Sequence, residues 1–360
     1  MRIGILSYPM LFEREDGVQQ QVRETIRALV QLGAQAGSGI EVELVNPYAS
    51  RLDGYDLVHV FSATHGNLRL VEAAVEQGVP VVLTPLIAPG WNRASGTSAR
   101  AADHRLGSLT SWNVQSGYAQ TRRALQQASL IVALGEAEKL AIGAGFLIDS
   151  GRVRVLPNGV NPALLAADGE LFRQRTGMSG PFALMAGPIS PYQNQLAMAQ
   201  AMAALSLPMV LVGEVVERDQ DYLRELRSVR GLTCLGALRQ DEAMLASTYA
   251  AAALCIAPGD GQGTALAVRD ALAAGSPMLI ARDSPFSLAG AEFALARVDW
   301  DDTDAQQRAV LRLLVSPPPR EQVRALVRGD SWERVARQVA ACYAQVHAVH
   351  AGRQSAPAWA

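Results

Sequence analysis

Two loops in this sequence carry groups that could do chemistry at the end of a strand. His65 lies in the stretch 62–66, which follows an apolar run and would place an imidazole at the carboxyl end of a strand. Gly261, Gly263 and Thr264 precede a helical pattern. Successive backbone N–H groups in such a glycine-rich turn can hold a phosphate. The sequence therefore offers one imidazole at a predicted strand end and one candidate phosphate cradle.

A basic stretch lies between these two loops. Residues 90–107 contain His104 together with Arg93, Arg100 and Arg105. Two interpretations stay open: a loop that supplies positive charge to an anionic ligand, or an ordinary solvated loop. His104 has no second pair of ligand-type side chains at a metal-binding spacing, so no metal site is predicted.

Alternating strand and helix patterns must position these groups. Short, almost wholly apolar runs are typical of parallel strands that are buried on both faces. The runs form two series, separated by a weaker pattern around residues 161–180. They predict an α/β fold with two doubly wound, Rossmann-like domains and a ligand site in a cleft between them, at the carboxyl ends of the strands. The predicted strands are 2–7, 42–45, 57–61, 79–83, 130–134 and 153–156 in the first series, and 182–186, 209–213, 232–235, 254–257 and 278–280 in the second.

Composition and charge exclude several classes of protein. The chain has 360 residues, of which 49 % are hydrophobic and 18 % are charged, which excludes a disordered chain. Its net charge of −2 argues against a nucleic-acid-binding surface. No apolar run approaches the roughly 20 residues of a membrane span. Three cysteines without metal-binding spacing are interpreted as free thiols, so we expect a cytoplasmic protein.

Five segments follow one another along the chain at a characteristic spacing. They are Arg152-Val153-Arg154-Val155-Leu156-Pro157-Asn158-Gly159-Val160-Asn161, Ala186-Gly187-Pro188-Ile189-Ser190-Pro191-Tyr192-Gln193-Asn194-Gln195, Leu211-Val212-Gly213-Glu214, residues 258–277 and Ser331-Trp332-Glu333-Arg334-Val335-Ala336. In their order and spacing they resemble the family-4 retaining glycosyltransferases, and the resemblance covers nearly the whole chain. That family has the GT-B fold, in which two Rossmann-like domains face each other across a cleft.

The resemblance implies a domain organisation and an activity. An N-terminal acceptor domain would span residues 1–165, and a C-terminal nucleotide-sugar donor domain would span 166–330. A helix over 331–350 would cross back to the first domain, and 351–360 would form a tail. The implied reaction moves a sugar from a nucleotide-sugar, which is a substrate and not a cofactor, to an acceptor. It proceeds with retention and without a metal, in glycan or glycoconjugate biosynthesis.

The donor-site motif departs from the family at four side chains. The family's arginine and lysine fall on Pro188 and Gln193, which carry no charge. Its first glutamate, which holds donor-sugar hydroxyls, falls on Gln262, and its second, which accepts hydrogen bonds from the nucleotide ribose, falls on Asp270. Only Asp270 keeps the charge of the family, so the resemblance implies a remodelled donor site.

Further site residues follow from the same resemblance. Gly187 and Gly213 would lie beside the donor nucleotide at strand ends, and Gly17 stands where the family has a Gly-Gly loop. The family often has a histidine after its third or fourth strand, near the transferred sugar. His65 is the candidate for that place, whereas His59, inside an apolar strand, is interpreted as a core histidine.

Two functions stay open. One is a glycosyltransferase that acts on a glycan, a lipid-linked or a protein acceptor, with Arg93, His104 and Arg105 as acceptor-side or phosphate ligands. The other is a catalytically inactive GT-B protein that serves as partner or scaffold of an active glycosyltransferase, as the lost donor-site charges indicate. With Arg122 and Arg123, the arginines of residues 90–107 could also form a basic face for peripheral contact with the inner face of the membrane.

Overall fold

The structure is a computed structural model. It describes residues 1–354 except 8–16, 37–38, 47–50, 65, 89, 111–113, 216–218, 239–242, 258–263 and 285. Four candidate site residues, His65, Gly261, Gln262 and Gly263, therefore lie outside the described residues.

The chain divides into two compact units. The first comprises Met1–Arg14, Val18–Gly159 and Trp332–Ala360, and the second comprises Glu15–Gly17 and Val160–Ser331. The chain thus leaves the first unit at Gly159 and returns to it at Trp332. Each unit is described by itself below.

A parallel sheet forms the centre of the first unit. The elements in chain order are β1 (Arg2–Leu6), α1 (Gly17–Ala36), β2 (Glu41–Leu44), β3 (Leu57–Phe61), α2 (Leu68–Glu76), β4 (Val81–Thr84), α3 (Arg93–Leu109), α4 (Gly117–Gln127), β5 (Leu130–Ala133), α5 (Glu136–Phe146) and β6 (Val153–Val155). Within the described residues the sheet has the strand order β2-β1-β3-β4-β5-β6. Neighbouring strands are parallel, so their carboxyl ends share one edge.

A second parallel sheet forms the centre of the second unit. Its elements are α6 (Pro162–Ala166), α7 (Glu170–Thr176), β7 (Ala183–Ala186), α8 (Gln195–Ala204), β8 (Met209–Val212), α9 (Gln220–Arg227), β9 (Leu232–Cys234), α10 (Ala243–Ala251), β10 (Leu254–Ala257), α11 (Thr264–Ala273), β11 (Met278–Ala281), β12 (Leu295–Val298), α12 (Thr303–Val315) and α13 (Arg320–Ala325). The strand order over the described residues is β12-β11-β10-β7-β8-β9. The last helix, α14 (Trp332–Gln354), belongs to the first unit.

Buried side chains fill both faces of the first sheet. On β3, Val58 and Val60 join one apolar cluster, whereas Leu57 and Phe61 join the other. Successive side chains of a strand point to opposite faces, and both faces are covered by helices here. Tyr343 of α14 is among the largest fully buried side chains of the second cluster. Double coverage explains why the central strands β1, β3, β4 and β5 are almost wholly apolar.

The predicted α/β fold with two doubly wound parallel sheets is confirmed. Two elements differ from the sequence prediction. Strand β12 was not predicted, and residues 93–109, interpreted as a loop, form helix α3. Helix α3 begins after Asn92, whose side chain accepts hydrogen bonds from the backbone of Ala94 and Ser95.

Of the helices that the structure describes, none has the length and apolar character needed to cross a membrane.

Candidate functional site

Two residues in the loops at the carboxyl edge of the first sheet have a strained backbone. Ser62 follows β3 with a φ of 74°, and Leu86 follows shortly after β4 with a φ of 58°. Left-handed conformations are unfavourable for residues other than glycine, and they persist where the surroundings hold them. Here the Asn67 side-chain amide donates to the carbonyl oxygens of Phe61 at 2.9 Å and Ser62 at 3.0 Å. These hydrogen bonds therefore hold the described part of the loop after β3 in its strained conformation.

Glu138 fixes two loops at the same edge. This buried residue of α5 accepts a hydrogen bond from the Ile87 N–H at Oε1 and another from the Leu134 N–H at Oε2, each at 2.7 Å. Burial raises the pKa of Glu138 to about 7, although backbone hydrogen bonds from Leu134, Ile87 and Leu86 act to lower it. One carboxylate thus holds the loops that follow β4 and β5.

His59 is a core histidine, as the sequence predicted. Its Nδ1 lies 2.7 Å from the Tyr343 hydroxyl, and its Nε2 lies 2.8 Å from the Thr84 hydroxyl. Burial lowers the pKa of His59 to about 3, so the imidazole is neutral at physiological pH. Its ring also stacks on Phe61, with ring centroids 4.3 Å apart.

The basic candidates of the first unit lie on helix α3. Arg93, His104 and Arg105 are exposed there. Arg100 instead packs inward, because its guanidinium donates to the Thr97 hydroxyl at 2.8 Å and to the Tyr118 hydroxyl at 3.2 Å. 

On α4, too, the arginines expected to form a basic membrane face are bonded within the protein. Arg122 donates to the Phe146 carbonyl oxygen at 3.2 Å, and Arg123 forms a 2.8 Å ion pair with the buried Glu72. Of the five arginines considered, Arg93 and Arg105 keep exposed guanidinium groups without an ion pair among the described residues.

Main-chain contacts join the strand ends of the second sheet. The Gly187 N–H donates to the Val212 carbonyl oxygen, and the Gly213 N–H donates to the Gly236 carbonyl oxygen, both at 2.9 Å. A Cβ atom at Gly213 would lie 1.8 Å from the Gly187 oxygen, and Gly187 itself has a φ of 147°. Only glycine fits at position 213, and both predicted glycines lie at the carboxyl edge.

Gln195 holds the loop in which Pro188 and Gln193 stand at the positions of the family's arginine and lysine. Its Nε2 donates to the Pro188 carbonyl oxygen at 2.8 Å, and its Oε1 accepts from the Ser190 N–H at 3.2 Å. Gln193 ends a short 3-10 turn and is partly exposed. Asn194 then enters α8 with a φ of 54°. Neither Pro188 nor Gln193 brings charge to this edge.

Asp270 lies on α11, which follows β10, the strand beside β7. The residue is 4 % exposed. Burial raises the pKa of the Tyr249 hydroxyl on α10 far above its usual value, and the nearby charge of Asp270 adds to the shift. The adjacent Arg269 is also buried and forms an ion pair with Asp330. The donor candidates Gly213, Gly187 and Asp270 thus belong to three neighbouring strands or to the helices that follow them.

Two more candidates occupy helix starts. Gly17 is the first residue of α1, and Thr264 is the first residue of α11. Three residues that sequence reasoning did not single out, Asn67, Glu138 and Gln195, hold the loops at the two edges. Their signal was a polar residue shortly after a strand end, at or near the start of the following helix. Among the described residues no three His, Cys, Asp or Glu side chains are grouped to hold a metal.

Comparison with protein families identifies part of the first unit. Residues 40–159 match the family described as the glycosyl transferase 4-like domain. Among curated proteins, no sequence match was found.

Solved structures with a similar fold cover almost the whole chain. HepE of Anabaena, in complex with UDP and glucose, is 17 % identical over 96 % of this chain and 100 % of its own, with a TM-score of 0.64. Sucrose-phosphate synthase of Thermosynechococcus elongatus is 17 % identical over 97 % and 100 %, with a TM-score of 0.70. UDP-GlcNAc 2-epimerase of Neisseria meningitidis, bound to UDP-GlcNAc, is 13 % identical over 96 % and 100 %, with a TM-score of 0.59.

These likenesses define the chain first as a protein of the GT-B fold. Together with the matched segment, they confirm the resemblance to the family-4 glycosyltransferases. A UDP-GlcNAc 2-epimerase has the same fold, so the fold alone does not define the reaction, which has to be argued from the site.

Proposed function

We propose that this protein is a retaining, metal-independent glycosyltransferase that moves a sugar from a nucleotide-sugar to an acceptor hydroxyl. The observation that carries the proposal is the carboxyl edge of the second sheet. There Gly187 has open space where a side chain would lie, Gly213 packs against the Gly187 oxygen, and Asp270 is carried by the helix after the adjacent strand. HepE, which has the same fold, binds UDP and glucose.

Backbone groups stabilise the leaving group in this proposal. The bond between the anomeric carbon and the diphosphate breaks, and a new bond to the acceptor oxygen forms on the same face of the sugar. The acceptor proton goes to the released diphosphate. Negative charge develops on that diphosphate, and the Thr264 N–H at the start of α11, with the N–H groups of the preceding residues 261–263, would stabilise it in place of arginine and lysine.

Side chains recognise the rest of the donor and the acceptor. Asp270 accepts hydrogen bonds from the ribose hydroxyls, and Gln262 contacts hydroxyls of the sugar. In the first unit, His65 and the exposed Arg93 and Arg105 bind the acceptor, in a glycan or glycoconjugate pathway.

A second candidate function is that of an inactive partner or scaffold for an active glycosyltransferase. The neutral loop around Pro188 and Gln193 favours it, because the loop is complete and well bonded without any cation. Loss of a single group that stabilises transition-state charge costs about 10²–10³ in rate in enzymes generally. Turnover by the isolated chain would exclude this candidate.

The first test is donor binding with an Asp270→Ala variant. Titration calorimetry with UDP-, GDP- and ADP-sugars should show binding to the wild-type chain that the variant weakens by about 1–3 kcal/mol, the value of a hydrogen bond to a charged group. Asp301→Ala, which removes an exposed acid of the same unit, should bind as wild type. Unchanged affinity of the Asp270 variant would refute the ribose contact. No binding of any donor at millimolar concentration would refute the transferase.

The second test restores the missing charges. In a Pro188→Arg, Gln193→Lys double variant, a cation facing the diphosphate should raise donor affinity by roughly tenfold, since charge-assisted hydrogen bonds contribute about 1.5–3 kcal/mol. Tyr192→Lys adds one charge at an exposed position of the same turn and should change affinity little. Equal effects of both variants would point to non-specific attraction and against a phosphate position between residues 188 and 193.

A further inference from the structure

A small cavity lies in the first unit, on the face of the sheet that α1 and α14 cover. Phe61 and Thr84, the last residues of β3 and β4, line it, and so does Asn158, shortly after β6. Gln21 and Thr25 of α1 line it as well, with apolar side chains that include Val335 and Val339 of α14. It therefore lies at the carboxyl ends of the strands, where sheets of this kind receive ligands.

Three polar side chains in this cavity are buried and make no hydrogen bond within the described part of the protein. Gln21 is 4 % exposed, Thr25 6 % and Asn158 5 %. All three residues line the same cavity. Their polar atoms are not among the fully enclosed, unpartnered atoms of the described residues, so they face space that a water molecule can reach. A water molecule or a ligand hydroxyl in the cavity would therefore be their hydrogen-bond partner.

The lining is uncharged. Its polar side chains are two amides, Gln21 and Asn158, two hydroxyls, Thr25 and Thr84, and the imidazole of His59. The imidazole stays neutral because burial lowers the pKa of His59 to about 3. A charged ligand group would lose its hydration without meeting an opposite charge. Amides and hydroxyls both donate and accept, as a ligand hydroxyl does.

The size of the cavity limits its occupant. Its volume is about 20 Å³. A site needs roughly 10–15 Å³ by this measure to hold one water molecule. A single oxygen atom with its hydrogen fits, whereas a sugar ring does not.

We propose that this cavity is a binding site for one uncharged hydroxyl group. It holds a water molecule in the free protein, and a primary hydroxyl of an uncharged polyhydroxy ligand replaces that water. Gln21, Thr25 and Asn158 are its direct partners. Assigning this ligand to the acceptor of the transfer reaction rests on the proposed function, whereas hydroxyl binding itself does not.

The structural test uses crystals of the full chain with ethylene glycol as the probe. Unsoaked crystals should show one oxygen within about 3.2 Å of the Gln21, Thr25 and Asn158 side chains. A glycol soak should replace it with a hydroxyl oxygen that continues into carbon density, and formate at equal concentration should not enter. Formate in the cavity would overturn the proposal, and so would a cavity closed by hydrogen bonds among the three side chains.

The solution test uses Thr25→Val, which preserves shape and removes the hydroxyl. Amide and side-chain NMR shifts during a glycol titration should give an affinity about tenfold lower for this variant, as expected for one lost hydrogen bond. Thr121→Val is the matched control, because Thr121 is 5 % exposed on α4 and does not line the cavity. Asn158→Ala provides a second variant if Thr25→Val unfolds.

Equal glycol affinity of the Thr25 and Thr121 variants would overturn the site. Neither measurement involves a nucleotide-sugar, so the two proposals can fail separately. If donors fail to bind but glycol binds, the cavity stands and the transferase falls. If donors bind but neither glycol nor water occupies the cavity, the transferase proposal stands and the hydroxyl site is refuted.

Discussion

A single buried side chain organises much of the edge of the first sheet. Glu138 accepts one backbone N–H on each carboxylate oxygen, from loops that follow different strands. Burial nevertheless raises its pKa to about 7. A neutral carboxyl group has a proton on one oxygen and can no longer accept two such bonds equally. The loops that Glu138 holds therefore depend on its protonation state.

We predict a pH dependence of stability from this residue. The folded-state pKa of Glu138 is raised from 4.5 to about 7, so the folded protein binds more protons than the unfolded chain in that range. The contribution to the free energy of unfolding is present below pH 4.5 and is lost as the pH rises through 7, by an amount on the order of 3 kcal/mol.

Urea unfolding between pH 4.5 and 8 measures the effect. The wild-type chain should lose stability relative to Glu138→Gln as the pH rises, because glutamine does not titrate. Glu136→Gln, at an exposed position of the same helix, should keep the wild-type slope. Parallel curves for wild type and Glu138→Gln would show that Glu138 does not titrate in this range.

At the scale of elements, the loops after β7 and β8 form one layer joined through the main chain. Beyond the strands, the Ile189 N–H donates to the Glu214 carbonyl oxygen at 2.8 Å, and Ile189 also bridges Val215 in parallel. The close approach of Gly213 to the Gly187 oxygen belongs to the same layer. Ligand-facing loops are commonly among the less stable parts of a protein, and these main-chain bonds oppose that tendency here.

We predict that Gly213→Ala breaks this layer. Its methyl group would meet a backbone oxygen, which cannot rotate away as a side chain can, so the loops must separate. The free energy of unfolding should fall by about 3 kcal/mol, the upper range for overpacking. Gly180→Ala in the same unit meets no atom within 4 Å and should be nearly neutral in chemical denaturation. A mild effect at Gly213 would mean that the two loops are not in contact in solution.

At the scale of the whole molecule, the chain changes unit at two adjacent places. The Val160 N–H donates to the Asp330 carbonyl oxygen at 2.8 Å, and Val160 bridges Ser331 in parallel. On the side of the first unit, a Cβ atom at Gly159 would lie 2.6 Å from the Trp332 ring and 2.7 Å from its Cα. The outgoing and returning segments are thus packed directly on one another.

We predict that Gly159→Ala detaches the start of α14 from the first unit. The added methyl group would displace the backbone at Trp332, and α14 covers one face of the first sheet. Hydrogen exchange should show faster exchange over α14, while the strands of the second sheet keep wild-type protection. Gly117→Ala has open space around it and is the control. Uniform loss of protection in both units would instead indicate a single cooperative fold.

The sequence predicted the fold better than the site. Apolar runs buried between helices give a strong pattern, and the strand series of both sheets follows from it. Strand β12 was not predicted because Arg297 interrupts its apolar run. The Arg297 guanidinium donates to backbone carbonyl oxygens nearby, including that of Ser284 at 3.2 Å. Helix α3 was not predicted because its serines, glycines and arginines obscure the helical spacing of its apolar residues. Glu138 acts through a hydrogen bond to Ile87, which is distant in sequence, and Gln195 acts through bonds specific to one turn, and spacing along the chain reveals neither.

The main-chain layer beside Gly187 and Gly213 also bears on how this protein could evolve. Backbone bonds set the shape of the two loops, so a mutation that exchanges an exposed side chain there, such as that of Pro188, leaves the frame unchanged. Charge at this edge can therefore be gained or lost one codon at a time while these main-chain bonds stay in place. The chemistry of the edge can drift over generations while its architecture is inherited.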